Sequence, residues 1–62
     1  MAYRVEPNAR SKTKATVWHG SIQVATFWDD PTGRADAKID VMLTAPELRE
    51  LADELEKWER TR

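Results

Sequence analysis

From residue 34 to 43 polar and apolar side chains alternate without a break, Arg34, Asp36, Lys38, Asp40 and Met42 on one side and Ala35, Ala37, Ile39, Val41 and Leu43 on the other. Successive strand residues point to opposite faces, so this period of two predicts a strand with one face buried. Beyond Leu43 the spacing changes to three and four, with Leu48, Leu51, Leu55 and Trp58 in one stripe and Ala52 beside it. That period predicts an amphipathic helix over 44–60 whose apolar stripe faces the sheet. Its start is marked by Thr44-Ala45-Pro46-Glu47, where an N-cap hydroxyl and an N3 carboxylate can bond each other's backbone amides. Pro46 in the first turn lacks only an N–H that has no helical partner, and Leu43 is placed to close on Leu48 as a hydrophobic staple. The outer helix face pairs Asp53 with Lys57 and Glu56 with Arg60 at i,i+4, the pattern of a solvated surface.

Upstream, Asp29-Asp30-Pro31-Thr32-Gly33 is a turn cluster that should join Ile22–Trp28 to the first strand as a hairpin. With Trp28 facing Ala35, Val24 meets Ile39 and Ile22 meets Val41 on the core side. Before that, Ala15 and Val17 alternate with Lys14, Thr16 and Trp18, and His19-Gly20 stands where a two-residue loop is expected. Val17 then opposes Ile22 and Ala15 opposes Val24, so three strands agree on one apolar face. Tyr3 and Val5 predict a further short edge strand before the Glu6-Pro7-Asn8 turn, the alternative being an N-terminal arm. The expected fold is one α+β domain over 1–62. Residues 1–11 are its arm or edge strand, 12–43 an antiparallel β-meander of three or four strands, and 44–60 one packed C-terminal helix.

This register puts Trp18, Phe27 and Met42 on the sheet face away from the helix, together with Lys12, Lys14, Lys38, Thr16, Gln23, Asp36 and Asp40. Large apolar side chains clustered on a solvent face mark an interaction surface. Trp18, Phe27 and Met42 are therefore the candidate partner-binding residues. Lys12, Lys14, Gln23 and Lys38 are the candidates for an alternative in which the same face binds nucleic acid.

Composition narrows the function classes. A chain of 62 residues without cysteine has neither disulfide nor thiolate-metal support for its small core, and its sheet edges need cover, so a homodimer is expected. An enzyme is not expected: the single histidine, His19, falls in a predicted turn, and Asp29-Asp30 is followed by Pro-Thr-Gly instead of spaced oxygen ligands. Gly20 and Gly33 are isolated, so no phosphate-cradling loop, cofactor or metal is anticipated. No apolar run approaches the roughly 20 residues of a membrane span, and the N-terminus lacks the apolar stretch of a secretory signal; a cytoplasmic location is expected. Net charge is −1, unevenly spread. Arg4, Arg10, Lys12 and Lys14 outweigh Glu6 in the first twenty residues, while Asp29, Asp30, Asp36 and Asp40 outweigh Arg34 and Lys38 in the middle. Asp36 and Asp40 share the lysines' face, which favours a protein partner over DNA.

Three antiparallel strands followed by one helix, over about residues 12–60, resembles in element order the arm-binding domains of tyrosine integrases and the plant AP2 domains. That resemblance implies a sheet face laid in the DNA major groove, with Lys12, Lys14, Trp18, Gln23 and Lys38 at the reading positions. The segment LTAPELRELADEL is similar to small uncharacterised proteins of bacteriophages and actinobacteria, in which a strand ends in a Thr-x-Pro-Glu-capped helix. This second likeness implies a phage or mobile-element accessory protein. The expectation is thus a non-enzymatic interaction module that binds another protein or itself.

Overall fold

A computed structural model of the chain describes residues 3–61. Four strands, β1 (Arg4–Pro7), β2 (Lys14–His19), β3 (Ile22–Asp29) and β4 (Ala35–Ile39), precede one helix, α1 (Ala45–Arg60). The strands form a single antiparallel sheet in the order β1-β2-β3-β4, so the fold is α+β. The N-terminal segment is an edge strand, with Arg4 opposite Trp18 and Val5 opposite Val17.

The register departs from simple alternation because β3 carries a β-bulge. Ala15 faces Phe27 and Val17 faces Ala25, but Trp18 faces Gln23, so the pairing slips by one residue between Val17 and Trp18. Val24 and Ala25 are consecutive in the chain and both buried, which an unbroken pleat does not allow. After the bulge the inward phase passes from Ile22 and Val24 to Ala25 and Phe27. Phe27, expected on the solvent face, is therefore 0% exposed and lies in the core, while Trp28 turns to the opposite face. In the next ladder Ala25 meets Ile39, Phe27 meets Ala37 and Trp28 meets Asp36, one residue away from the expected pairing of Trp28 with Ala35. The expected pairs Val24/Ile39, Ile22/Val41, Val17/Ile22 and Ala15/Val24 are all replaced.

Two turns make these ladders possible. His19 pairs with Ile22, so the β2–β3 loop is Gly20-Ser21, one residue later than expected. Gly20 takes φ of 63° and, among the described residues, no non-glycine residue has positive φ, the sign pattern of a type II′ turn. In the β3–β4 loop Gly33 takes φ of 87°. There the Asp30 carboxylate accepts from the Thr32 amide at 2.9 Å, the Thr32 hydroxyl at 2.6 Å and the Arg34 amide at 2.9 Å.

α1 starts as its sequence dictates: the Glu47 amide donates to Thr44 Oγ1 at 3.4 Å and the Thr44 amide to Glu47 Oε1 at 2.9 Å. Its far end is closed by the Thr61 hydroxyl, which donates to the Trp58 carbonyl at 3.0 Å. On the outer surface Arg60 pairs with Glu56 at 3.9 Å, whereas Lys57 reaches Glu54 at 3.4 Å. The buried core is Ala15, Val17, Val24, Ala25 and Phe27 from the sheet with Leu51 and Trp58 from the helix. The Phe27 and Trp58 rings lie 5.7 Å apart. Tyr3 ties β1 to the helix start: its hydroxyl donates to the Glu47 carbonyl at 3.2 Å, and its ring meets His19 edge-on at 6.2 Å. Burial, with the nearby Glu47 and Glu50 carboxylates, raises the Tyr3 phenol above its ordinary pKa. The expected stripe is only partly covered, since Leu55 is half-buried, Leu48 is 40% exposed, and Ile22 and Ile39 opposite are 55% and 44% exposed.

Candidate binding face

The helix packs on one side of the sheet; among the described residues no element covers the other. Because side chains alternate, the register alone defines what that open face displays. Cross-strand pairing sets three rows: Arg4, Trp18 and Gln23 at one end, Glu6, Thr16, Thr26 and Lys38 in the middle, and Lys14, Trp28 and Asp36 at the other. Trp28 stands opposite Lys14, four residues from Trp18, so the two indoles are separated by about 13 Å along the strand direction with threonines between them.

Trp18 is half-buried, and the Arg4 guanidinium lies 5.7 Å from its ring centroid, within cation–π range. Its Nε1 is shielded from water and has no hydrogen-bond partner among the described residues. The exposed Gln23 side-chain amide is engaged within the chain, donating to Thr26 Oγ1 and to Asp40 Oδ2, both at 3.3 Å. Lys14 and Lys38 are exposed, and Asp36 holds Arg34 at 3.4 Å.

Of the seven candidate binding residues, Trp18, Lys14, Gln23 and Lys38 are brought together on this face, beside the expected Thr16 and Asp36. Three are elsewhere. Phe27 is in the core because of the bulge. Met42 is 100% exposed but lies in the connector between β4 and α1, since the strand ends at Ile39 and only the Asp40 amide continues the ladder, to the Val24 carbonyl at 2.9 Å. Lys12 lies in the β1–β2 loop, where with Pro7, Asn8, Trp58 and Thr61 it lines a depression on the helix side. Four residues join the face that sequence reasoning missed: Arg4, Glu6, Thr26 and Trp28. The adjacent apolar pair Val24-Ala25 inside an alternating run is the signal that would have found Trp28.

Among the described residues no group of three histidine or acidic side chains is arranged to hold a metal ion, and no helix is long and apolar enough to cross a membrane. No protein-family model, curated protein or solved structure matches the chain.

Proposed function

We propose that this chain is a non-enzymatic interaction module that binds a protein partner through the open face of its sheet. The observation that carries the reading is two tryptophans held at opposite ends of a face no described element covers. Aromatic anchors flanked by charges of both signs are the composition of a protein-binding surface, where a few large side chains contribute most of the affinity. The Trp18 indole N–H, without a partner among the described residues, adds a specific demand: a partner that reaches it with an acceptor gains a hydrogen bond.

Duplex DNA is the second class of ligand, and the face is poorly composed for it. Lys14 and Lys38 alternate with Asp36 and Glu6, and Gln23 already spends its amide on Thr26 and Asp40. The experiment is cross-linking capture of partners from a host extract with wild type, Trp18→Ala, Trp28→Ala and Lys14→Ala/Lys38→Ala proteins, beside a polarisation titration with duplex DNA. Loss of a captured protein in either tryptophan variant, with retention in the lysine variant, is expected; DNA binding should be no tighter than about 10⁻⁵ M near physiological salt. Sub-micromolar, salt-sensitive DNA binding that depends on the two lysines would replace this reading by the DNA one.

A further inference from the structure

The two edges of the sheet are not equivalent. β1 is four residues long and ends in Pro7, which has no N–H to offer, so that edge is blunted against pairing. β4 has no such guard. The Asp30 amide donates to the Arg34 carbonyl and the Asp40 amide to the Val24 carbonyl, both at 2.9 Å, so the even-numbered residues from 34 to 40 turn their backbone groups toward β3. Ala35, Ala37 and Ile39 must then turn theirs outward. Consistent with this, the Ala35 amide donates to a side chain, Glu59 Oε2 at 3.3 Å. On the helix side the same strand borders an apolar groove of about 150 Å³, lined by Ala37, Ile39, Leu48, Leu51, Ala52 and Leu55.

We infer that the β4 edge is the dimerisation site of this protein, and that its occupant is β4 of a second copy, antiparallel, with the two-fold axis at Ala37. Charge selects both the partner and the register. Centring the pair on Ala37 makes Ala37 a hydrogen-bonded pair with itself and sets Ala35 against Ile39 of the second copy, small against large. Asp36 then opposes Lys38, and Arg34 opposes Asp40, in non-hydrogen-bonded pairs, where side chains are closest. A shift of the axis to residue 36 sets Asp36 against Asp36 and Arg34 against Lys38. A shift to residue 38 sets Lys38 against Lys38 and Asp36 against Asp40. Axes at 35 or 39 run off the strand. One register therefore uses the whole strand with every charge complemented, and that self-complementarity is a property of a second identical copy. A two-fold axis normal to the sheet also keeps both helices on one side, so each exposed Ile39 side chain packs beside Ala35 of the second copy on the face that carries the grooves. The Ala35 amide exchanges Glu59 for the Ile39 carbonyl of the second copy. The result is a continuous eight-stranded sheet with a doubled open face.

The inference concerns the purified chain alone, so its test is independent of any partner on the open face. Sedimentation equilibrium should show a reversible species of twice the 7.2 kDa chain mass. Asp36→Lys and Lys38→Asp, each placing like charges in two symmetric pairs, should weaken association roughly tenfold, and the double exchange should restore it. Asp36 is half-buried and the other sites are exposed, and circular dichroism melts check that each variant is folded. Ala37→Cys should form a disulfide-linked dimer on mild oxidation, because hydrogen-bonded antiparallel pairs stand about 5.5 Å apart, within the roughly 4.4–6.8 Å a disulfide spans. Thr32→Cys, in the distant loop, should not. A monomer at every concentration overturns the inference, as does a dimer indifferent to both charge reversals with no preference for the Ala37 cross-link.

Discussion

Phe27 and Trp18 show how one position decides a side chain's role. Phe27 sits against Trp58 at zero exposure, and removing its ring leaves a cavity that so small a core cannot close. Phe27→Ala should cost about 3–5 kcal/mol, read by urea denaturation, enough to unfold most of the population. Trp18→Ala removes a half-buried side chain from the open face and should cost clearly less; equal losses would show that both rings belong to the core. Gly20 acts through its backbone alone. A Cβ there meets nothing within 4 Å, yet φ of 63° is a conformation L-residues avoid. Gly20→Ala should therefore cost about 1–2 kcal/mol of pure backbone strain, with the hairpin's nuclear Overhauser contacts retained.

At the scale of the elements, β3 and α1 follow different rules. A helix start is local, so Thr44 and Glu47 complete their capping box regardless of what the helix packs on. Thr44→Ala should lower stability by about 1 kcal/mol, and Thr44→Ser should recover most of it, both measured by thermal melts. A strand's register is not local. The β3 bulge exists because Val24 and Ala25 are both better buried than exposed, and one extra residue lets the strand bury both. Deleting Ala25 should force the pleat back into a single phase, and amide exchange would then show lost protection in β3 and β4 while α1 keeps its cap.

For the whole molecule, protonation couples to folding at three named groups. Asp30 has its pKa lowered chiefly by the hydrogen bond from the Thr32 hydroxyl, and Glu47 by the bonds from the Thr44 amide and hydroxyl. Between the lowered folded value and the ordinary one near 4, the unfolded chain binds more protons than the native one. Their contribution is thus complete above the ordinary carboxylate range and disappears as pH falls through the folded values. Tyr3 is shifted upward, so the unfolded chain loses its proton first and stability falls as pH rises past about 10. Denaturation across pH should show both limbs; Asp30→Asn with Glu47→Gln should flatten the acid limb, and Tyr3→Phe the alkaline one.

The sequence by itself determined what depends on near neighbours. The α1 cap at Thr44-Glu47, the Leu51 and Trp58 stripe, the turn at Asp30–Gly33, four alternating segments and the α+β order are encoded within a few residues of chain, where hydrogen bonds and side-chain spacing are set by backbone geometry. Placing Trp18 and Lys14 of β2 on one face with Lys38 of β4 also followed from alternation, and Gln23 kept its place because it precedes the bulge in β3. What only the tertiary structure decided was phase. Whether Phe27 or Trp28 turns inward depends on a bulge in a strand that pairs with β2 and β4 and packs Phe27 on Trp58, partners outside its own segment, because a period of two has no memory of which face is inside once a residue is inserted. A different cause separates Met42 and Lys12 from the face: both lie outside the strands, and where a strand ends is set by its neighbours' hydrogen bonds, not by its own pattern.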